Sequence, residues 1–159
     1  MAAGYTDAVI RRRPLTAILM MLVAGGTVVG AAQGPTLLAP NGTATDWGAW
    51  LDSHGRSAVV VWASWAPHAA PALAALEGLS AACRDAGLSL VVVAVQEPVE
   101  ASRTALSDRH VAWLHDRHGA FLKRYRLIRL PTLVIVDRDG KMLTELPVSV
   151  ESLRKWAAK

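Results

Sequence analysis

Two short apolar runs set the frame for this chain. Ala58-Val59-Val60-Val61-Trp62 and Leu88–Val95 hold no charged residue and are rich in β-branched side chains. A strand buried on one face alternates apolar and polar residues, whereas an unbroken apolar run belongs in a sheet covered on both faces. Between them, Pro67–Ala86 reads as a helix, with Pro67 suited to its first turn and Gly87 placed for a C-terminal cap. Strand, helix and strand in so short a span make a right-handed βαβ unit with parallel strands.

The elements that follow are legible by the same signals. Val99–Ser107 reads as a helix, Val111–Leu114 as a short strand and Ala120–Tyr125 as a helix. Thr132–Val136 and Met142–Leu146 flank the turn Asp137–Lys141 and form a hairpin. Pro147 cannot donate to a ladder and puts the second arm at a sheet edge. Ser149 caps a last helix that runs to Ala158, and Thr45 or Asp46 caps an early one through Leu51. The fold class is therefore α/β: a mixed central sheet of a βαβ unit followed by a β-hairpin and terminal helix, flanked by helices.

The N-terminal end is of a different kind. Pro14–Thr45 has no charged residue, Leu15–Ala32 is almost wholly apolar, and Arg11-Arg12-Arg13 stands directly before it. A positive flank and an apolar run of about 18 residues fit a membrane anchor or a secretion signal, with Val29-Gly30-Ala31 as a candidate cleavage site. The arginines are expected to stay in the cytoplasm and the rest of the chain to be exported. The expected organisation is a basic tail at 1–13, an anchor or signal segment at 14–33, a linker rich in Gly and Pro at 34–45, and one domain at 46–159. The expected location is the cytoplasmic membrane with the domain outside it, or the periplasm if the segment is cleaved.

Charge and cysteine count narrow the chemistry. The chain's net charge of +4 is uneven: residues 14–102 carry Arg56 and Arg84 against six acids, while 103–129 carry seven basic residues against Asp108 and Asp116. That basic block is a solvated face, or a docking surface for an acidic partner or anionic headgroups. Nucleic acid is not expected, since no aromatics interleave with the basic residues. Cys83 is the one cysteine, so no dithiol within the chain is possible. It shares a helix face with Leu76 and Leu79, the pattern of a buried, inert thiol. His110, His115 and His118 lie near Asp108 and Asp116, but Asp116–Gly119 reads as a turn and the neighbouring arginines oppose a cation. No metal and no cofactor are expected.

Three local features carry a resemblance. Trp62-Ala63-Ser64-Trp65 ends the first apolar run, Ala66-Pro67-His68-Ala69 follows it, and Leu130-Pro131-Thr132 opens a later strand. With the βαβ–hairpin–helix order, these residues resemble the thioredoxin-like superfamily, in particular its membrane-anchored TlpA/ResA-like redoxins. The resemblance covers roughly 45–159. It places Ala66 and Ala69 at the two cysteine positions of a Cys-Pro-His-Cys motif, and it implies a cis bond before Pro131. Thiol-disulfide exchange needs a thiolate nucleophile and a resolving thiol; alanine supplies neither. There is then no catalytic residue. Trp65, Pro67, His68, Leu130, Pro131 and Thr132 remain as a surface for an exported protein or peptide, with free N–H groups at Ala69 and Ala70 as a possible anion seat. His68 also reads as a merely exposed polar residue, and Pro131 as structural first. Two functions stay open: a degenerate, non-redox binding protein in an extracytoplasmic thiol or protein-assembly pathway, or an oxidoreductase whose two cysteines have been replaced by alanine.

Overall fold

A computed structural model describes residues 34–159. The basic tail expected at 1–13 and the anchor or signal segment expected at 14–33 lie outside the described residues. Among the described residues no helix is long and apolar enough to cross a membrane.

Among the described residues seven strands form one mixed sheet. They are β1 (Thr36–Leu38), β2 (Ala44–Asp46), β3 (Ser57–Trp62), β4 (Ser89–Val95), β5 (Ala112–Asp116), β6 (Thr132–Val136) and β7 (Met142–Leu146), in the order β2-β1-β5-β4-β3-β6-β7. The parallel centre β5-β4-β3 comes from the expected βαβ unit and its continuation. The β6–β7 hairpin adds antiparallel to β3, with β7 at the edge. Among the described residues six helices cover the sheet: α1 (Trp47–His54), α2 (Ala69–Ala74), α3 (Leu76–Asp85), α4 (Val99–Leu106), α5 (Ala120–Tyr125) and α6 (Val150–Ala157).

Period-two alternation along the central strands divides the core into two layers. Val60, Trp62, Val92, Leu133 and Ile135 pack with Leu73, Leu76, Leu79 and Cys83 of α2 and α3, Leu106 of α4 and Leu153 of α6. Val59, Val61, Val91, Val93, Val134 and Val136 face the other way, onto Trp47 and Leu51 of α1 and Phe121 and Tyr125 of α5. Every residue of β3 and of β6 is buried, which is why both strands are apolar after their first residues, Ser57 and Thr132.

The expected caps form. Asp46 accepts from the Ala49 N–H at 2.9 Å and Ser149 from the Ser152 N–H at 3.1 Å. Gly87, at φ 66°, ends α3 with Leu88 N–H on the Cys83 carbonyl at 2.8 Å and its own N–H on that of Arg84 at 3.2 Å, the paired closure of a Schellman motif.

Three expectations are corrected. The stretch 34–45 is not a linker: it contains β1 and most of β2, β1 pairs with β5 through Leu38 and His115, and Leu37 is fully buried. The folded unit therefore begins before residue 46. The helix expected at 67–86 starts at Ala69 and is interrupted at Ala75; no proline sits at the break, and nothing in the local contacts explains it. The strand expected at 111–114 runs on to Asp116, so His115 and Asp116 are buried sheet residues, not part of a turn.

Candidate functional site

The site grows from the C-terminal end of β3. After Trp62 the chain turns twice, with Ala66 N–H on the Ala63 carbonyl and Ala69 N–H on the Ala66 carbonyl, both at 3.1 Å. His68 takes the left-handed conformation, φ 63° and ψ 19°, that lets α2 start at the next residue. A non-glycine residue there costs roughly 1–2 kcal/mol, borne by the packing on either side. Trp62 supplies part of it by donating its indole N–H to the Ala69 carbonyl at 3.0 Å.

This turn sorts its side chains sharply. Ala66 joins the core layer under α1 and α5, and Ala69 joins the opposite layer. Both methyl groups are buried. Trp65, Pro67 and His68 point outward, and Trp65 is 59% exposed. Its indole N–H donates to the Gln96 carbonyl at 3.2 Å. The Ala69 N–H is taken by Ala66, so the anion seat expected at Ala69 and Ala70 lacks one of its two donors.

Across from the turn lies the segment that joins α5 to β6. The Leu130–Pro131 bond is cis, as the resemblance implies. A groove of about 990 Å³ separates the two segments. It brings together Trp65, Pro67, His68, Leu130 and Pro131. Thr132 is not among its lining residues: the side chain is buried and its hydroxyl lies 3.0 Å from Glu145 Oε1 and 3.3 Å from the Leu146 carbonyl, tying β6 to β7.

The sequence reading missed one whole wall. Lys123 of α5, then Arg126, Ile128 and Arg129 beyond it, line the groove together with Gln96 and His118. Ile128 is 92% exposed. The signal available was the basic block at 103–129, which says nothing by itself of which cations share a face.

Also missed was the clamp behind the turn. Glu97 accepts from the Ser64 N–H and from the Ser102 hydroxyl, both at 2.6 Å. It thus fixes the exit of β3 to α4. His115 Nε2 lies 2.8 Å from the Glu97 carbonyl oxygen. A carbonyl can only accept, so Nε2 carries the proton, and the buried Nδ1 has no partner among the described residues. His110, His115 and His118 do not converge, and among the described residues no three His, Cys, Asp or Glu side chains gather closely enough to hold a metal ion. Cys83 is buried in α3, and desolvation pushes its thiol up from 9.0 to about 11. A thiol in that state is neither a nucleophile nor a ligand at neutral pH.

Parallel β3 and β4, an antiparallel β6–β7 hairpin, a closing helix and a cis-proline opposite the first turn define a thioredoxin-like fold. No protein-family model and no curated protein matches the chain. Solved structures do. A secreted Mycobacterium tuberculosis disulfide oxidoreductase homologous to Escherichia coli DsbE superposes with a TM-score of 0.63 at 23% identity, over 78% of this chain and 94% of that one. M. tuberculosis DsbF gives 0.65 at 16% identity, over 80% and 96%. StoA from Bacillus subtilis gives 0.60 at 18% identity, over 77% and 94%. The resemblance to thioredoxin-like redoxins read from the sequence is met at the level of fold.

Proposed function

We propose that this chain is a thioredoxin-fold binding protein without thiol-disulfide chemistry, holding segments of exported proteins in the groove between Trp65 and Pro131. The observation that carries this reading is the pairing of a sizeable open groove with buried methyl groups at Ala66 and Ala69, where the resemblance puts the two cysteines. Exposed apolar side chains at its rim, Trp65 and Ile128, offer contact area that the fold itself does not use. The secreted relative in fold and the apolar segment at 14–33 support a place outside the cytoplasmic membrane, tethered through 14–33 with Arg11–Arg13 inside.

The test is saturable binding of an unfolded, carboxymethylated exported polypeptide by the full chain in non-ionic detergent, followed by fluorescence anisotropy. Insulin reduction should be absent under the same conditions. A folded chain that binds no unfolded polypeptide would sink the proposal.

A second reading draws on the retained turn geometry from Ala63 to Ala69: an oxidoreductase scaffold silenced only at Ala66 and Ala69. The Ala66→Cys/Ala69→Cys variant then gains disulfide exchange. If it stays inactive while folded, the groove has diverged from catalysis and the second reading is dropped.

A further inference from the structure

The groove sorts charge strictly. Lys123, Arg126 and Arg129 line one wall, Gln96, His68 and His118 are the other polar side chains, and no Asp or Glu among the described residues lines it. All three cations are exposed, and among the described residues none of them is in an ion pair. A helix C-terminus attracts positive charge, which accounts for Lys123 in the last turn of α5. It does not account for Arg129, four residues past the end of that helix. Nor does solubility require all three on the wall of one cavity.

We propose that the occupant of this groove is an acidic peptide segment: an extended stretch whose apolar side chains rest on Trp65 and Ile128 while flanking carboxylates meet Lys123, Arg126 and Arg129. The inference rests on the peptide-binding reading above and adds the chemical class of the segment. Guanidinium groups suit carboxylates because their donors match both oxygens at once. The remaining groove wall, with Pro67, Leu130, Pro131 and Val148, is apolar, so a purely polar acidic tract would leave it unfilled. Charge here supplies selection among exported segments, and the apolar seats supply contact.

The experiment uses three dye-labelled synthetic nonapeptides with one Val-Leu-Val centre flanked by Asp and Glu, by Gln, or by Lys. Each is titrated with the full chain in non-ionic detergent. The acidic peptide is expected to bind on the order of tenfold more tightly than the Gln peptide and the Lys peptide more weakly still. Raising salt from about 0.05 M to about 0.5 M should remove most of that spread. The Lys123→Gln/Arg126→Gln/Arg129→Gln variant should still bind the Gln peptide and should lose the preference for the acidic one. Equal binding of all three peptides would overturn the charge inference and leave the peptide-binding reading standing; binding of none would remove both. Loss of the Gln peptide in the triple variant would show that these side chains shape the groove instead of selecting charge, and the inference falls. Dihexanoyl phosphatidylglycerol serves as competitor. If it occupies the groove more tightly than the acidic peptide, a lipid headgroup is the occupant and the inference falls as well.

Discussion

Asp116 ends β5 with its side chain buried, and both carboxylate oxygens are taken by the first turn of α5: Ala120 N–H and Phe121 N–H each lie at 2.9 Å. Helix starts leave N–H donors without intrahelical partners, and here a residue from the preceding strand satisfies two of them. Asp116→Ala is expected to cost about 2–3 kcal/mol, and Asp116→Asn, which keeps one acceptor oxygen, roughly half of that. Urea unfolding midpoints of the two variants test the order; equal losses would mean that charge rather than acceptor count matters. Nothing in the sequence distinguished this carboxylate from a turn residue, because its role depends on burial at a strand end that the apolar pattern places two residues too early. Cys83 was legible, since its spacing from Leu76 and Leu79 assigns it to the core face. Its thiol, pushed up from 9.0 to about 11 by burial, stays protonated while the unfolded chain ionises. Below pH 9 the two states carry the same proton and nothing is lost; as pH rises from about 9 to about 11, stability falls. Cys83→Ala should flatten that limb of the pH profile, and iodoacetamide should label the native chain only as fast as it opens.

At the scale of elements, the strands buried on both faces were readable and the shortest ones were not. β3, β4 and β6 declare themselves through unbroken apolar runs. β1 and β2 have three residues each, set among Gly34, Pro35, Pro40 and Gly42, whose turn signals outweigh two leucines. What makes them strands is pairing at long range: β1 meets β5 through Leu38 and His115, and Leu37 is fully buried beside Trp47 and Leu51. The Trp47 indole N–H, donating to the Tyr125 hydroxyl at 2.8 Å, locks α1 against α5 on that same layer. The antiparallel β1–β2 pair is therefore part of the domain's stability. Leu37→Ala is expected to cost about 2–4 kcal/mol, and a chain lacking residues 34–44 to unfold at distinctly lower urea than the intact one. A deletion without effect would restore the linker reading.

Across the whole molecule, what holds the fold and what lines the groove are largely different residues. The two core layers are made by alternate side chains of the central strands, and the outward residues Trp65, His68, Ile128 and Arg129 contribute little to either. The first wall of the groove was readable because its residues sit in contiguous motifs, at 65–68 and 130–131. The second wall was not, because Lys123 and Ile128 come together only through the direction in which α5 ends and the left-handed turn at Arg126, φ 54°. This division makes a sharp expectation. Trp65→Ala/Ile128→Ser removes two exposed side chains, one of which makes a single hydrogen bond to Gln96. Surface changes of this sort usually move stability by about 0.5 kcal/mol each or less, so thermal unfolding should shift by only a few degrees. Binding of an extended peptide should weaken by at least about tenfold, because a few large apolar contacts carry a large share of an interface's energy. The informative comparison is with Leu37→Ala, which should do the reverse, lowering stability while leaving the affinity of the still-folded fraction intact. If Trp65→Ala/Ile128→Ser instead unfolds the chain, or leaves binding untouched, the groove is a feature of the fold and its function lies elsewhere on the surface.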